Sequence, residues 1–360
     1  VALHLLAASR VWAAIIQKEL PCSHNAYLKY FHGASDLRRR VMRSVDMVLL
    51  DEAHDCTELE LDMVANAGVP SVIVYDSHQS IYMFRHVVES AGLDELRGYR
   101  RSLTMTYRYG PPLSSAAQAV IRHYTGHTDF IVRGLPTTRT HVVQSEHPPF
   151  TRVCGAGDTL VIVARTNMTL LRIALSMLDH PDIGRVSGRL FESVGGCQHL
   201  LDVVTLSCGG GEGDIQEQGG LASSCAATGR GFTLFERLVK ERRIRSSINA
   251  CSLVCLYGPC LAGLALRLRA RLTVNLAAAS VLFYTGHRAK GHGWPYVYVC
   301  HDFMLRCTPL QATARAQRMT PTPLELLPES VRWATVFELL EPEPKTGYPL
   351  LDEVRLLYVA

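Results

Sequence analysis

Residues 45–55 read VDMVLLDEAHD, a short apolar run that leads into two adjacent acidic residues. Apolar runs of this length, bounded by polar residues, are typical of parallel strands that are buried on both faces. In open α/β sheets, ligands bind at the edge where the strands end. The stretch therefore predicts a strand over 45–50 that delivers Asp51 and Glu52 to such an edge, followed by a helix.

The same pattern returns further along the chain. Residues 69–75 form a second β-branched run, which ends at Asp76. Because parallel strands end at the same edge of a sheet, Asp51 and Asp76 are predicted to share that edge. A buried strand over 160–164, with return strands over 281–284 and 296–299, predicts a second unit of the same kind. The fold class is therefore α/β.

Helical spacing of apolar residues predicts helices over 1–44, after the prolines at 111–112, and over most of 232–280. The helices over 1–44 are expected to pack on the core. Residues 209–227 are rich in Gly and Ser and poor in large apolar side chains. This composition predicts a flexible loop between the parts of the second unit.

The composition of the chain limits the kinds of protein that it can be. A chain of 360 residues with 48% hydrophobic and 19% charged residues can form two or three packed domains. Its apolar runs are broken well before the ~20 residues that cross a bilayer, so no membrane segment is predicted. The net charge of +4 suits a nucleic-acid partner without requiring one.

The 11 cysteines are odd in number and scattered, which favours a reducing, intracellular compartment over a disulfide framework. Cys251, Cys255 and Cys260 are close in sequence, but they include no CxxC pair and have no histidine nearby to complete a zinc site. We therefore predict that they are small apolar residues on a buried helix.

Four further strings carry groups suited to phosphate and nucleic acid. Residues 74–85, 106–110, 161–167 and 284–294 read VYDSHQSIYMFR, TYRYG, VIVARTN and YTGHRAKGHGW. An amide such as that of Gln79 can contact a phosphate oxygen, and aromatic rings can stack on bases. A guanidinium group such as that of Arg108 binds phosphate through two nitrogens. Core packing of the aromatic residues and helix capping by Asn167 are the structural alternatives.

Taken in order with residues 48–55, these strings resemble the motifs of UvrD-like superfamily 1 DNA helicases. Residues 26–29, 51–56 and 353–360 are most similar to the F-box DNA helicases of animals. The resemblance implies two RecA-like motor domains, the first incomplete, with a small and mostly helical insertion. The implied boundaries are 1–105 for the first domain, 106–204 and 276–360 for the second, and 205–275 for the insertion.

The resemblance also implies an activity, which is ATP-dependent 3′-to-5′ movement on single-stranded DNA, in nuclear DNA repair or recombination. Repair proteins or ubiquitin-ligase proteins are implied as possible partners. ATP and Mg²⁺ are the implied cofactors, with Asp51 as the Mg²⁺ ligand and Glu52 activating the attacking water. Gln79 and Arg108 are then the contacts to the γ-phosphate, and Asp76 and Gly291 lie at the nucleotide. The implied DNA-binding residues are Tyr82, Phe84, Arg85, Arg165, Thr166, Asn167, Thr285, His287 and Lys290.

The sequence departs from the family at several positions. Tyr75 stands for a Gly, His292 for an apolar residue, and Gly293 for a Glu that touches the nucleotide sugar. The phosphate-binding string Gly-Lys-Ser/Thr does not occur in the 360 residues. Residues 352–360 resemble the start of a sixth motif, and the Thr-Arg that follows in the family is not in this sequence.

These departures keep a second hypothesis open, a helicase-derived module that binds single-stranded DNA or a protein without hydrolysing ATP. A third is an unrelated α/β protein, although no Gly-x-Ser-x-Gly string supports a hydrolase of that class.

Overall fold

The computed structural model describes residues 2–82, 93, 96, 98–125, 129–143, 145–217, 219–229 and 231–303. The chain divides into two compact units, Val1–Leu103 and a second that begins at Thr104. Both are mixed α/β, and every strand pair in the described residues is parallel. The α/β class predicted from the sequence is therefore confirmed.

The first unit opens with three helices and continues as a strand, helix, strand segment. Its elements are α1 (Ala2–Ile16), α2 (His24–Gly33), α3 (Ser35–Met42), β1 (Val48–Leu50), α4 (Glu58–Ala65) and β2 (Ser71–Ile73). A capping box begins α4, because the Thr57 side chain accepts the N–H of Glu60 while the Glu60 carboxylate accepts that of Thr57. The two strands pair in register, with Leu50 opposite Ile73. Asp51 and Asp76 thus follow neighbouring strand ends, as predicted.

The packing role predicted for the first helix is not seen in the described residues. On α1, Leu5, Leu6 and Val11 are 64%, 54% and 50% exposed. The small core of this unit is formed around Ala53, Leu61 and Leu93 instead. A two-stranded sheet offers little apolar surface, and α4 already covers part of it.

The second unit is built on a four-stranded parallel sheet. Its strands are β5 (Leu160–Ala164), β6 (Arg185–Ser187), β7 (Ala279–Thr285) and β8 (Val297–Val299), in the spatial order β6-β7-β5-β8. All five residues of β5 are buried, as expected for a central strand covered on both faces. A separate parallel pair, β3 (Met105–Thr106) and β4 (Arg133–Gly134), precedes this sheet.

Helices surround the four-stranded sheet and share one core with it. Helix α5 (Pro111–Thr125) contacts β4, and α13 (Gly286–Ala289) contacts β7. The helices that share the core of the sheet are α6 (Phe150–Val153), α7 (Asn167–Ser176), α8 (Cys197–Ser207), α9 (Leu221–Ala227), α10 (Gly231–Glu241), α11 (Arg245–Tyr257) and α12 (Cys260–Arg271). Phe235, Leu253 and Leu261 of the later helices are buried in the same cluster as Ile162 of β5. The helix positions predicted after the prolines and over 232–280 are confirmed.

The flexible loop predicted over 209–227 is partly wrong, because its last seven residues form α9. Ala222 and Cys225 of α9 are 4% and 1% exposed, so small side chains pack there without large apolar groups. The segment before α9 is held by Asp202 of α8, whose carboxylate accepts the N–H groups of Gln216 and Glu217 at 3.1 and 2.9 Å. A buried carboxylate that receives two backbone donors orders a stretch that has few apolar residues.

The prediction for the clustered cysteines holds for Cys251, which is buried, and is wrong for Cys255 and Cys260, which are exposed. The two exposed thiols flank the turn at Gly258, where α11 and α12 both reach solvent. Among the described helices, none is by itself both long and apolar enough to span a membrane. Only α11 and α12 taken together pass that test, and they are bent by 114°.

Candidate functional site

The first candidate site lies where β1 and β2 end. Asp51 and Glu52 are both exposed, and Oδ1 of Asp51 accepts the N–H of Glu52 at 2.9 Å. Glu52 adopts a left-handed backbone conformation with φ of 53°, which is unusual for a residue with a side chain. This local turn directs the chain away from the strand immediately after the two carboxylates.

Gln79 is oriented by the acidic residue that follows β2. The Asp76 carboxylate accepts the N–H of His78 at 2.9 Å and the side-chain amide of Gln79 at 2.8 Å. Asp76 also caps the short 3-10 turn Ser77–Gln79. Its side chain thus holds the predicted phosphate-sensing amide at the same sheet edge as Asp51.

His54 connects the two strand ends, a role that the sequence did not reveal. Its side chain is 2% exposed, and its Nδ1 accepts the backbone N–H of Asp76 at 3.0 Å. The ring proton must then be on Nε2, which lies 2.9 Å from Oε2 of Glu52 and donates to it. The Ser80 hydroxyl donates to the His54 carbonyl at 3.2 Å. One buried imidazole therefore ties the Glu52 carboxylate to the segment that carries Gln79.

Among the described residues, Glu52, His54 and Asp55 place ligand atoms within 4.8 Å of one another, as in a metal site. The hydrogen bonds argue against a metal at His54, because Nδ1 is occupied as an acceptor and Nε2 carries the proton. Asp51 is exposed at the end of β1, and a carboxylate of this kind could be a ligand of Mg²⁺, which usually keeps several of its waters. The residues present do not make a complete ATP-binding site, since the 360 residues contain no Gly-Lys-Ser/Thr string.

Tyr82 is partly buried and is the last residue of the continuous described stretch 2–82. Phe84, Arg85 and the string at 352–360 lie outside the described residues. The assignments of Tyr82, Phe84 and Arg85 to DNA binding stay predictions.

The second candidate site lies at the ends of β5 and β7. These strands pair in register, with Ala164 opposite Thr285. The strings that begin at Arg165 and at Thr285 therefore leave the sheet side by side. Two predicted DNA-binding segments more than a hundred residues apart in sequence are brought together by this pairing.

Helix α7 is capped by Thr166, whose hydroxyl oxygen accepts the N–H of Thr169 at 3.1 Å. The alternative that Asn167 caps the helix is wrong, because Asn167 is already its first residue. The Asn167 amide is directed instead towards Glu192, at 3.5 Å.

Asp302, three residues beyond β8, fixes the turn between β5 and α7. Its carboxylate oxygens accept the N–H of Arg165, both at 3.0 Å, and one accepts that of Thr166 at 3.2 Å. Burial raises the pKa of Asp302 above its ordinary value, although the hydrogen bonds from Arg165, Thr169 and Thr166 act in the opposite direction. Sequence reasoning missed this residue, even though it follows a strand end as Asp51 and Asp76 do.

Sequence reasoning also missed Glu192. Its carboxylate is contacted by side chains that follow three different strands. Arg189 donates to its carboxylate at 2.9 Å, and Arg288 donates to both of its oxygens at 3.1 Å. Partial burial acts to raise the pKa of Glu192, but the hydrogen bonds from Arg189 and Arg288 outweigh it and leave the pKa lowered. Glu192 is therefore a charged carboxylate between two guanidinium groups.

The remaining predicted residues of the second unit lie around α13 and near β3. Thr285 precedes α13, His287 lies within it, and Lys290 follows it. Gly291 has a φ of 83°, a conformation that favours glycine. Arg108 is exposed after β3, and its N–H donates to the Thr106 hydroxyl at 3.3 Å.

No protein-family model matches the chain. One similar protein is F-box DNA helicase 1 of Gallus gallus, which is 26% identical over 106 residues. The aligned segment covers 29% of this chain and 10% of the length of that protein. The chain thus shares a weak similarity, over a limited segment, with a DNA helicase.

Proposed function

We propose that this chain is a helicase-related core that binds the backbone of single-stranded DNA through the carboxyl edge of its four-stranded sheet. The observation that carries the proposal is the register of β5 and β7. It sets Arg165, Thr166 and Asn167 beside the segment that contains Thr285, His287 and Lys290. Hydroxyl, amide and cationic groups of this kind are the common contacts to nucleic-acid phosphates.

The first unit supplies the second part of the proposal. In a longer parent protein that contributes a phosphate-binding loop, the two units are parts of RecA-like motor domains with ATP and Mg²⁺ as cofactors. Mg²⁺, when bound, would neutralise phosphate charge. Asp51 would hold it, Glu52 would orient the attacking water, and His54 would fix Glu52 relative to Gln79. Movement in the 3′-to-5′ direction and a role in nuclear DNA repair belong to the same proposal and rest on the resemblance alone.

A DNA-binding module without ATP hydrolysis is the alternative for the 360 residues by themselves. It is favoured by the lack of Gly-Lys-Ser/Thr and by Gly293, where the resembling family has a Glu. This alternative keeps the second site and assigns no catalytic step to the first.

The test is binding of a fluorescein-labelled oligo(dT) by anisotropy across a salt series, with and without ATP and Mg²⁺. The informative variant is Lys290→Ala, and the matched control is Lys240→Ala, whose lysine pairs with Glu236 on α10. If Lys290 contacts a phosphate, its loss should weaken binding and reduce the slope of log affinity against log salt by about 0.7. The control should retain both values.

One outcome would distinguish the ATP-driven motor from the DNA-binding module, and another would contradict DNA binding at this edge. Tighter binding with ATP and Mg²⁺ would favour the motor over the simple module. Equal affinities for both variants, or no binding by a folded sample, would contradict the proposed strand-binding edge.

A further inference from the structure

Donor groups from three strand ends converge on one carboxylate. Arg189 follows β6, Arg288 follows β7 and Asn167 follows β5, and all three direct side-chain nitrogens at Glu192. The distances from its oxygens are 2.9 Å for Arg189, 3.1 Å for Arg288 and 3.5 Å for Asn167. Separate elements that present two guanidinium groups and an amide to one anion form the donor set of a phosphate site.

The carboxylate that these donors hold is accessible to solvent. The Glu192 side chain is 38% exposed, and those of Arg189 and Arg288 are 69% and 39% exposed. Ion pairs with this exposure contribute only about 0–1 kcal/mol, because water and salt screen them. An external anion can therefore replace Glu192 without a large loss of stability.

We propose that Arg189, Arg288 and Asn167 form a phosphate-binding site whose internal occupant is Glu192, and that a phosphodiester group of single-stranded DNA displaces it. The inference rests on the proposed function, because the site adjoins the Arg165–Asn167 turn and the α13 segment. It adds two arginines to the DNA-binding edge and makes Glu192 a competitor of DNA.

The positions of the donor groups favour a backbone phosphate as the ligand of this site. The donors lie beyond the ends of β5, β6 and β7, along the same edge where Thr285 and Arg165 leave the sheet. A single DNA strand that lies along this edge of the sheet presents one phosphate after another. Guanidinium groups bind each phosphate without reading the base, so the site should be independent of sequence.

Glu192→Gln is the informative variant, because it preserves shape and removes the competing charge. We expect it to bind oligo(dT) roughly 3- to 10-fold more tightly, with a salt slope steeper by about 0.7. The gain should disappear when Arg189→Ala and Arg288→Ala are combined with it. The matched control is Glu236→Gln, which makes the same change in net charge at a glutamate that pairs with Lys240 at 2.8 Å.

Several outcomes would overturn the inference. An equal gain for Glu192→Gln and Glu236→Gln would show an effect of net charge alone, and a gain that persists without both arginines would place its origin elsewhere. Tighter binding of a fluorescent ATP analogue, with unchanged binding of oligo(dT), would assign the site to a nucleotide. Wild-type DNA binding with no gain in Glu192→Gln overturns this inference only, whereas no DNA binding by any folded variant overturns the proposed function as well.

Circular dichroism checks that each variant is folded. If Glu192→Gln does not fold, Glu192→Asp withdraws the carboxylate by one methylene group and keeps its charge. A smaller gain in affinity is then expected, and no gain would overturn the inference.

Discussion

Nε2 of His54 lies 2.9 Å from Oε2 of Glu52 and donates to it, while the other ring nitrogen accepts the N–H of Asp76. The two bonds fix both the tautomer and the orientation of the ring. Since the imidazole is 2% exposed, water cannot replace either bond at little cost. His54 thus makes the positions of Glu52 and of the Gln79 segment depend on each other.

Replacement of His54 by Ala should leave the Asp76 N–H without its acceptor and release Glu52. An unsatisfied buried donor costs about 1–3 kcal/mol, so the first unit should lose stability of that order. Hydrogen exchange read by mass spectrometry should show faster exchange in peptides that cover Asp76.

The matched control for this variant is His32→Ala. His32 pairs with Asp62 at 2.7 Å, but their side chains are 35% and 48% exposed. Its loss should cost less than about 1 kcal/mol. Equal effects of the two substitutions, or unchanged exchange around Asp76 in His54→Ala, would contradict the structural role of the buried ring.

Asp302 predicts a dependence of stability on pH. Burial raises its pKa above the ordinary value of 3.8 in the folded protein. A carboxyl group with a raised folded pKa contributes stability that is fully present below the unfolded pKa and is lost as pH rises through the folded pKa. The free energy of unfolding of the wild type, relative to Asp302→Asn, should therefore fall as pH rises above 3.8.

Urea denaturation of both proteins over a pH series measures this difference. The amide of the variant does not ionise, so it lacks this contribution. A difference that stays constant, or that grows with pH, would mean that the Asp302 carboxyl group is not desolvated at the turn between β5 and α7.

Thiol reactivity tests the packing of α11. Burial raises the pKa of Cys251 to about 12, so almost no thiolate forms near neutral pH. Cys255 and Cys260 are exposed. Iodoacetamide at about pH 8 should therefore label Cys255 and Cys260 well before Cys251. Peptide mass spectrometry resolves the three sites, and early labelling of Cys251 would show that this face of α11 is not in the core.

The sequence by itself predicted the parallel strands and the residues at several of their ends. A buried strand followed by a carboxylate is a local pattern, so Asp51 and Asp76 could be assigned to one edge before the structure was known. The spacing of apolar residues likewise predicted the helices after 232. Local pattern did not predict α9, because the segment before it is poor in large apolar residues and is held by the Asp202 carboxylate, which accepts the N–H groups of Gln216 and Glu217.

Only the tertiary structure decided which groups meet. Arg165 and Asp302 are 137 residues apart, and they meet because β8 lies beside β5. Glu192 meets Arg288 across 96 residues because β7 lies between β5 and β6. Strand order depends on how the helices cover the whole sheet, and no local run of residues encodes it. Hydrogen bonds between strand ends, including the choice of tautomer at His54, therefore follow from the fold and not from any motif.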